Sequence, residues 1–287
     1  MPLPESRWFR SVRGRSVAGA MAESLAEACP GRVMRCEKVL RGRTGRVLLV
    51  LDRISDPHNE AAAHRTAEAL GVQHVWSVAP ILASKKKRPA KRDAKSVAKG
   101  ADGWLSLRRF ETPSDCVSAL RGDGWEIWCA SDGPGSIPLS GSVPDCVAGA
   151  PKVAIVIGRE ADGVDAAFLD AAAQRTYVEM RGFTTSLNLS VATALILQRV
   201  FEWFPHWVGD LDESERDALR ESWRHVIAKN DTAKRKLDKW LEAPDTIPDA
   251  KHAATATGDE DATVACGSWA PKKVQAQERA VVRGDTG

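Results

Sequence analysis

Three short stretches concentrate side chains able to orient or polarise a ligand: SDPHNEAAAHRT at 55–66, GREADGV at 158–164 and TTSLNLSVA at 184–192. Asn59 and Arg65 in the first, Glu160 in the second, and Ser186 and Asn188 in the third supply amide, guanidinium, carboxylate and hydroxyl groups. The sequence has no G-x-x-x-x-G-K-[ST] phosphate loop, no H-E-x-x-H helix and no G-x-S-x-G nucleophile turn. Gly133 and Gly135 are followed by Pro138 where a third glycine should stand, which disfavours a Rossmann nucleotide site. Six cysteines form no C-x-x-C pair and show no zinc spacing, so neither a metal nor a disulfide framework is expected. Each polar stretch also has an ordinary structural use: Asn59, Asn188 or Ser190 can cap helices, Glu160 can be a surface acid, and Arg65 a solvated side chain.

The elements that must position these groups follow an α/β grammar. An amphipathic helix is expected at 32–42, then RVLLVLDRI at 46–54 as a buried strand, a helix at 61–71 ended by Gly71, and a strand at 74–79. Downstream come a helix at 116–124, strands at 125–131 and 153–158, the AAFLDAAAQ helix and the strand TYVEM. Residues 188–204 read as a helix apolar nearly all round, buried or packed on a partner subunit, and 211–229 as a more polar one. Strand, loop, helix, strand implies a parallel sheet. All three polar loops lie beyond the carboxyl ends of strands, where open α/β sheets bind ligands.

With 287 residues, 43% hydrophobic and 28% charged, the chain is neither fibrous nor disordered throughout. Its longest apolar stretch, VATALIL at 191–197, is far short of the ~18 to 20 residues of a membrane span, so no membrane partner is expected. Residues 1–31 read as a basic arm or a transit segment, giving a cytoplasmic protein or, alternatively, one sent to a mitochondrion or plastid. Residues 244–287 read as a disordered tail, leaving 32–243 as the folded domain.

The net charge of +3 hides an uneven distribution: residues 1–50 carry +6 and residues 85–109 carry +8, leaving −11 elsewhere. Concentrated basic segments on an acidic chain are the electrostatic footprint of a nucleic-acid binder.

Taken together, N-x-x-A-x-x-R-T-A-x-A-x-G at 59–71, G-x-E-x-x-G at 158–163 and S-L-N-x-S-V-A at 186–192 resemble the three signature motifs of the SPOUT RNA methyltransferases, TrmH branch. The resemblance covers about 32–240. It implies an α/β fold, a parallel sheet with helices on both faces and a C-terminal deep trefoil knot, in a homodimer that binds S-adenosylmethionine in the knot. It also implies catalytic roles for Asn59, Arg65, Glu160, Ser186 and Asn188, and cofactor contacts from the backbone at Ala130, Gly158, Val178 and Leu187. The arginine-lined first helix (Arg32, Arg35, Arg41, Arg43) and the basic segment AKNDTAKRKLDKW are similar to the branch that methylates the 2′-hydroxyl of guanosine 18 in tRNA. From charge alone, Lys85, Lys86, Lys87 and Arg88 are expected to add phosphate contacts.

The chain departs from the family pattern at Glu60, His64 and Glu179, none of them a matched catalytic position. The alternatives are 2′-O-methylation of ribosomal RNA or of another tRNA position, and an idle RNA-binding protein that keeps the fold.

Overall fold

Uninterrupted apolar runs become the central strands because both faces of this sheet are covered. The computed structural model describes residues 31–80, 100–142 and 151–227, together with Arg235, Leu237, Asp238 and Glu242. Helix α1 (Gly31–Arg41) leads to β1 (Thr44–Leu51), α2 (Pro57–Ala69) and β2 (Val72–Val78). A 3-10 turn (Ala101–Trp104) precedes β3 (Ser106–Phe110), α3 (Pro113–Gly122), β4 (Glu126–Ala130) and the two-residue β5 (Ile137–Pro138). Next come β6 (Val153–Ile157), α4 (Ala166–Ala171), β7 (Gln174–Tyr177), α5 (Leu189–Trp203), a 3-10 turn (Pro205–Trp207) and α6 (Glu213–Ile227). All seven strands are parallel, in the order β3-β2-β1-β6-β4-β7-β5.

Alternation along the strands divides the core of the compact unit Val39–Lys229 into two layers. Val47, Leu49 and Leu51 of β1 and Ile155 and Ile157 of β6 pack with Ala63 and Ala67 of α2 and Ile196, Leu197 and Val200 of α5. Leu48, Val50, Ala154 and Val156 face the other way, onto Cys116, Val117 and Leu120 of α3 and Phe168 of α4. The expected α/β sheet with helices on both faces is therefore present.

Several boundaries differ from expectation for identifiable reasons. Helix α2 begins four residues early because the Asp56 carboxylate accepts the His58 backbone N–H at 2.9 Å and Pro57 occupies the first helical turn. Asn59 therefore lies inside the helix and caps nothing. Strand β1 stops at Leu51, so Arg53 and Ile54, read as strand, belong to the loop. The edge strand β3 was not foreseen, because its residues SLRRF look like the end of a basic segment. Residues 1–30 of the expected basic arm 1–31 and the whole of the tail 244–287 lie outside the described residues.

One expected RNA contact is overturned. Arg43 is fully buried, donating from Nη1 to the Val72 carbonyl at 2.9 Å and from Nη2 to Glu68 Oε1 at 2.9 Å. Its guanidinium lies 5.7 Å from the Trp223 ring centre, and burial lowers its pKa. A cation enclosed in this way ties β1 to α2 and β2; no phosphate can reach it. Arg35 is exposed and Arg41 half-buried, whereas the side chain of Arg32 and residues Lys85, Lys86, Lys87 and Arg88 lie outside the described residues.

Candidate active site

The first turn of α2, the loop after β6 and the start of α5 converge on a row of hydrogen bonds. Asn59 Nδ2 donates to Glu160 Oε1 at 2.5 Å, and Asn188 Nδ2 donates to Asn59 Oδ1 at 3.1 Å. Asn188 Oδ1 then accepts the Ser190 N–H at 2.9 Å and hydroxyl at 2.7 Å, capping α5. The order of donors is forced: an ionised carboxylate only accepts, so each amide must present its nitrogen towards Glu160 and its oxygen away from it. Asn188 thus combines its ordinary use as a helix cap with a place in the row.

Glu160 sits on a closed turn. Arg159 N–H donates to the Gly163 carbonyl at 3.2 Å and Gly163 N–H returns the bond at 2.9 Å. A Cβ on Gly158 would lie 2.2 Å from the Gly163 carbonyl carbon, so only glycine permits this crossing. A hydrogen bond from Arg159 holds the Asp162 carboxyl below the usual carboxylate range.

Beside the row opens a cleft of about 680 Å³, lined by Ala130, Gly158, Glu160, Val178, Ser186 and Leu187 among others. All four positions expected to touch the cofactor border this one cavity, as does Ser186. Among the described residues, the backbone N–H and C=O groups of 178–187 make no hydrogen bond, unlike those of regular elements. Unpaired main-chain groups around a cavity are a ready set of donors and acceptors for a polar ligand, which fits a nucleoside-type group held by backbone contacts. Arg65 is exposed on α2 and no described residue pairs with it; the row of hydrogen bonds does not include it.

Two of the three departures from the family pattern have partners. His64 Nδ1 lies 2.8 Å from Asp102 Oδ1, and Glu179 accepts a hydrogen bond from the Ser140 hydroxyl. Glu60 falls in the first turn of α2, where a negative charge suits the helix dipole, and no described residue pairs with it. Sequence reasoning missed Asp132 and Tyr177, which also line the cleft, and the buried Asp52 with its neighbour Arg53. The signal for Asp52 was available: a charged residue at the carboxyl end of a strand buried on both faces.

With this geometry in place, the comparisons with known proteins are informative. The SpoU rRNA Methylase family matches residues 46–198. The tRNA (guanosine(18)-2′-O)-methyltransferase of Borreliella burgdorferi is 31% identical over 198 residues, 68% of this chain and 85% of that protein. The protein of the same name from Escherichia coli K12 is 30% identical over 171 residues, 58% of this chain and 68% of that one. A 23S rRNA (guanosine-2′-O-)-methyltransferase, RlmB of Haemophilus ducreyi, is 31% identical over 160 residues and is matched over 61% of its length. The crystal structure of the A. aeolicus TrmH/SpoU tRNA modifying enzyme superposes with a TM-score of 0.57 at 23% identity, covering 69% of this chain and 98% of that one, which shows a shared fold. Matched over more than half its length, and with the second and third motif loops lining one cleft, the chain belongs to the SpoU methylase family.

Proposed function

We propose that the protein transfers a methyl group from S-adenosylmethionine to the 2′-hydroxyl of a ribose in tRNA, the guanosine at position 18 being the favoured target. The observation that carries this reading is the Asn188–Asn59–Glu160 row at the rim of a cleft with unpaired backbone groups. When bound, S-adenosylmethionine supplies a sulfonium methyl: the ribose oxygen–carbon bond forms as the sulfur–carbon bond breaks, and the hydroxyl proton passes to solvent. The chain's own task is alignment and charge stabilisation. Arg65, exposed and without an ion-pair partner among the described residues, is free to meet the oxygen as it becomes anionic and the phosphate beside it. A guanidinium pKa above ~12 makes it a poor base, so stabilisation is its role here. Asn59 and Asn188 orient Glu160 at the edge of the site, and Ser186 and the backbone of 178–187 hold the donor.

Choosing tRNA over ribosomal RNA rests on coverage: the tRNA relative from Borreliella is matched over 85% of its length and the ribosomal RNA relative over 61%. Two further features belong to this reading. A deep trefoil knot in the C-terminal half is supported by a sheet order in which the consecutive strands β6 and β7 are separated by β4. A homodimer is supported by apolar side chains left uncovered on α5 and before it, with Val191 46%, Leu195 45% and Phe183 fully exposed. No described helix is long and apolar enough to cross a membrane, and the reading places the enzyme in the cytoplasm.

The test is incubation with methyl-labelled S-adenosylmethionine and, in parallel, bulk tRNA or ribosomal RNA, followed by mapping of the methylated ribose. Label at a D-loop guanosine is the expected result; label in ribosomal RNA with none in tRNA overturns the choice of substrate.

A further inference from the structure

Behind the loop that carries Glu160 lies a buried ionic contact to which neither the hydrogen-bonded row nor the cleft lining assigns a role. Asp52, the first residue after β1, has no solvent exposure. Its carboxylate accepts Arg53 Nε at 2.9 Å, Arg53 Nη2 at 3.1 Å and the Asp165 backbone N–H at 2.8 Å. Arg53 is 6% exposed, and its Nη1 stands 3.3 Å from the Asp165 carboxylate and 3.6 Å from that of Asp162. Its backbone φ is 55°, the one positive value at a non-glycine among the described residues.

Neither feature is needed to end a strand. A glycine would make the left-handed turn without steric cost, and an apolar side chain would fill the space without desolvating a charge. A bulky residue held at positive φ persists only where its surroundings over-determine it, and such residues gather at functional sites. Here the surroundings are specific. The forked guanidinium reads a carboxylate at 52 on one side and carboxylates at 162 and 165 on the other. It therefore ties the end of β1 to the far side of the turn that starts at Gly158 and has Glu160 at its tip. Asp165 also caps α4, so the tie is anchored to a helix.

We propose that Asp52 and Arg53 are positioning residues for methyl transfer: their ion pair fixes the 158–165 turn so that Glu160 meets Asn59 while Gly158 and Gly163 form one wall of the donor cleft. The proposal rests on the methyltransferase reading above. Neither residue borders the cleft, so both act through the turn.

The experiment compares the full-length protein with Arg53→Gly, Arg53→Lys, Glu160→Gln and the Arg53→Gly/Glu160→Gln double variant, by amide hydrogen exchange and by steady-state methylation of tRNA. Glycine removes the tie while relieving the backbone. The Gly163 and Asp165 amides should then exchange at least about tenfold faster than in the parent, with β6 amides unchanged. kcat should fall by about tenfold or more, and adding Glu160→Gln should cost less than about twofold further, because a displaced carboxylate has little left to lose. Lysine keeps the charge but not the fork, and should lie between. Multiplying losses in the double variant, or unchanged exchange at Gly163 and Asp165, would overturn the proposal and leave the pair as general scaffolding. If Arg53→Gly does not fold, Asp165→Asn, which removes the charge facing Arg53 while an amide oxygen can still cap α4, should shift exchange in the same direction by less, and no shift there is equally fatal. A parent enzyme that labels no RNA defeats the methyltransferase reading instead, and the exchange experiment still reports on the tie.

Discussion

At Arg65 the chain presents a guanidinium that no described residue engages, six residues along α2 from the amide that orients Glu160. A side chain with no structural partner is cheap to remove from the fold and costly to remove from a reaction. Arg65→Ala should therefore leave stability within about 0.5 kcal/mol of the parent, while lowering kcat by about 10²- to 10³-fold with unchanged donor affinity. Thermal melts, single-turnover methylation and donor titration check the three parts. Arg65→Lys divides two accounts: substantial activity in that variant rules out a forked, delocalised contact. Asn188 is the opposite case, because its oxygen caps α5 while its nitrogen serves the row. Asn188→Ala should cost about 1 kcal/mol of stability, as helix caps do, and activity as well; Asn188→Ser, which can still cap, should recover the first and not the second.

Elements explain why some conspicuous residues serve the fold. Arg43 stands in an arginine-rich segment, yet β1 carries it inward to Glu68 and the Val72 carbonyl. Arg43→Met should lower stability by about 3 kcal/mol, because Glu68 and the carbonyl lose their donor, while the salt dependence of RNA binding stays unchanged. Denaturant titration and binding at several salt concentrations separate the two. The turn after β6 makes a similar point about glycine. Gly158 crosses the Gly163 carbonyl so closely that any Cβ collides, and the obstacle is backbone. Gly158→Ala should displace the turn and weaken donor binding in calorimetry, whereas alanine at exposed Gly103, which meets nothing, should not.

For the whole molecule the relevant quantity is charge distribution. If Lys85, Lys86, Lys87 and Arg88 contact phosphates, neutralising all four should flatten the slope of log K against log salt; an unchanged slope marks them as solvated. If the uncovered face of α5 forms the interface of a homodimer, Leu195→Glu should convert it to monomers in sedimentation, with no loss of helix content. Two buried thiols predict a pH limit. Burial pushes Cys116 and Cys129 up to about 12 from an ordinary value near 9. Above pH ~9 the unfolded chain gives up protons that the folded chain retains, so stability is fullest below that pH and falls as pH rises towards 12. Equilibrium unfolding between pH 8 and pH 11 should show the decline, and both thiols should resist alkylation until the protein unfolds.

The α/β class, the order of most elements and the three site loops were legible in the sequence because each is written locally: apolar runs of strand length, glycine stops, and polar residues just beyond the strands. Asn59, Glu160 and Asn188 could be named one by one, but their junction could not be read from spacing, since 101 and 129 residues separate the bonded pairs. Only the folded chain decided that Arg43 points inward, that Asp56 rather than Asn59 caps α2, and that Asp52 and Arg53 grip the turn behind Glu160. The physical reason is the same in each case. A charged or amide side chain has the same composition and local propensity whether it faces water, a helix end or a buried partner, and which of these it meets is fixed by contacts between segments far apart in the chain.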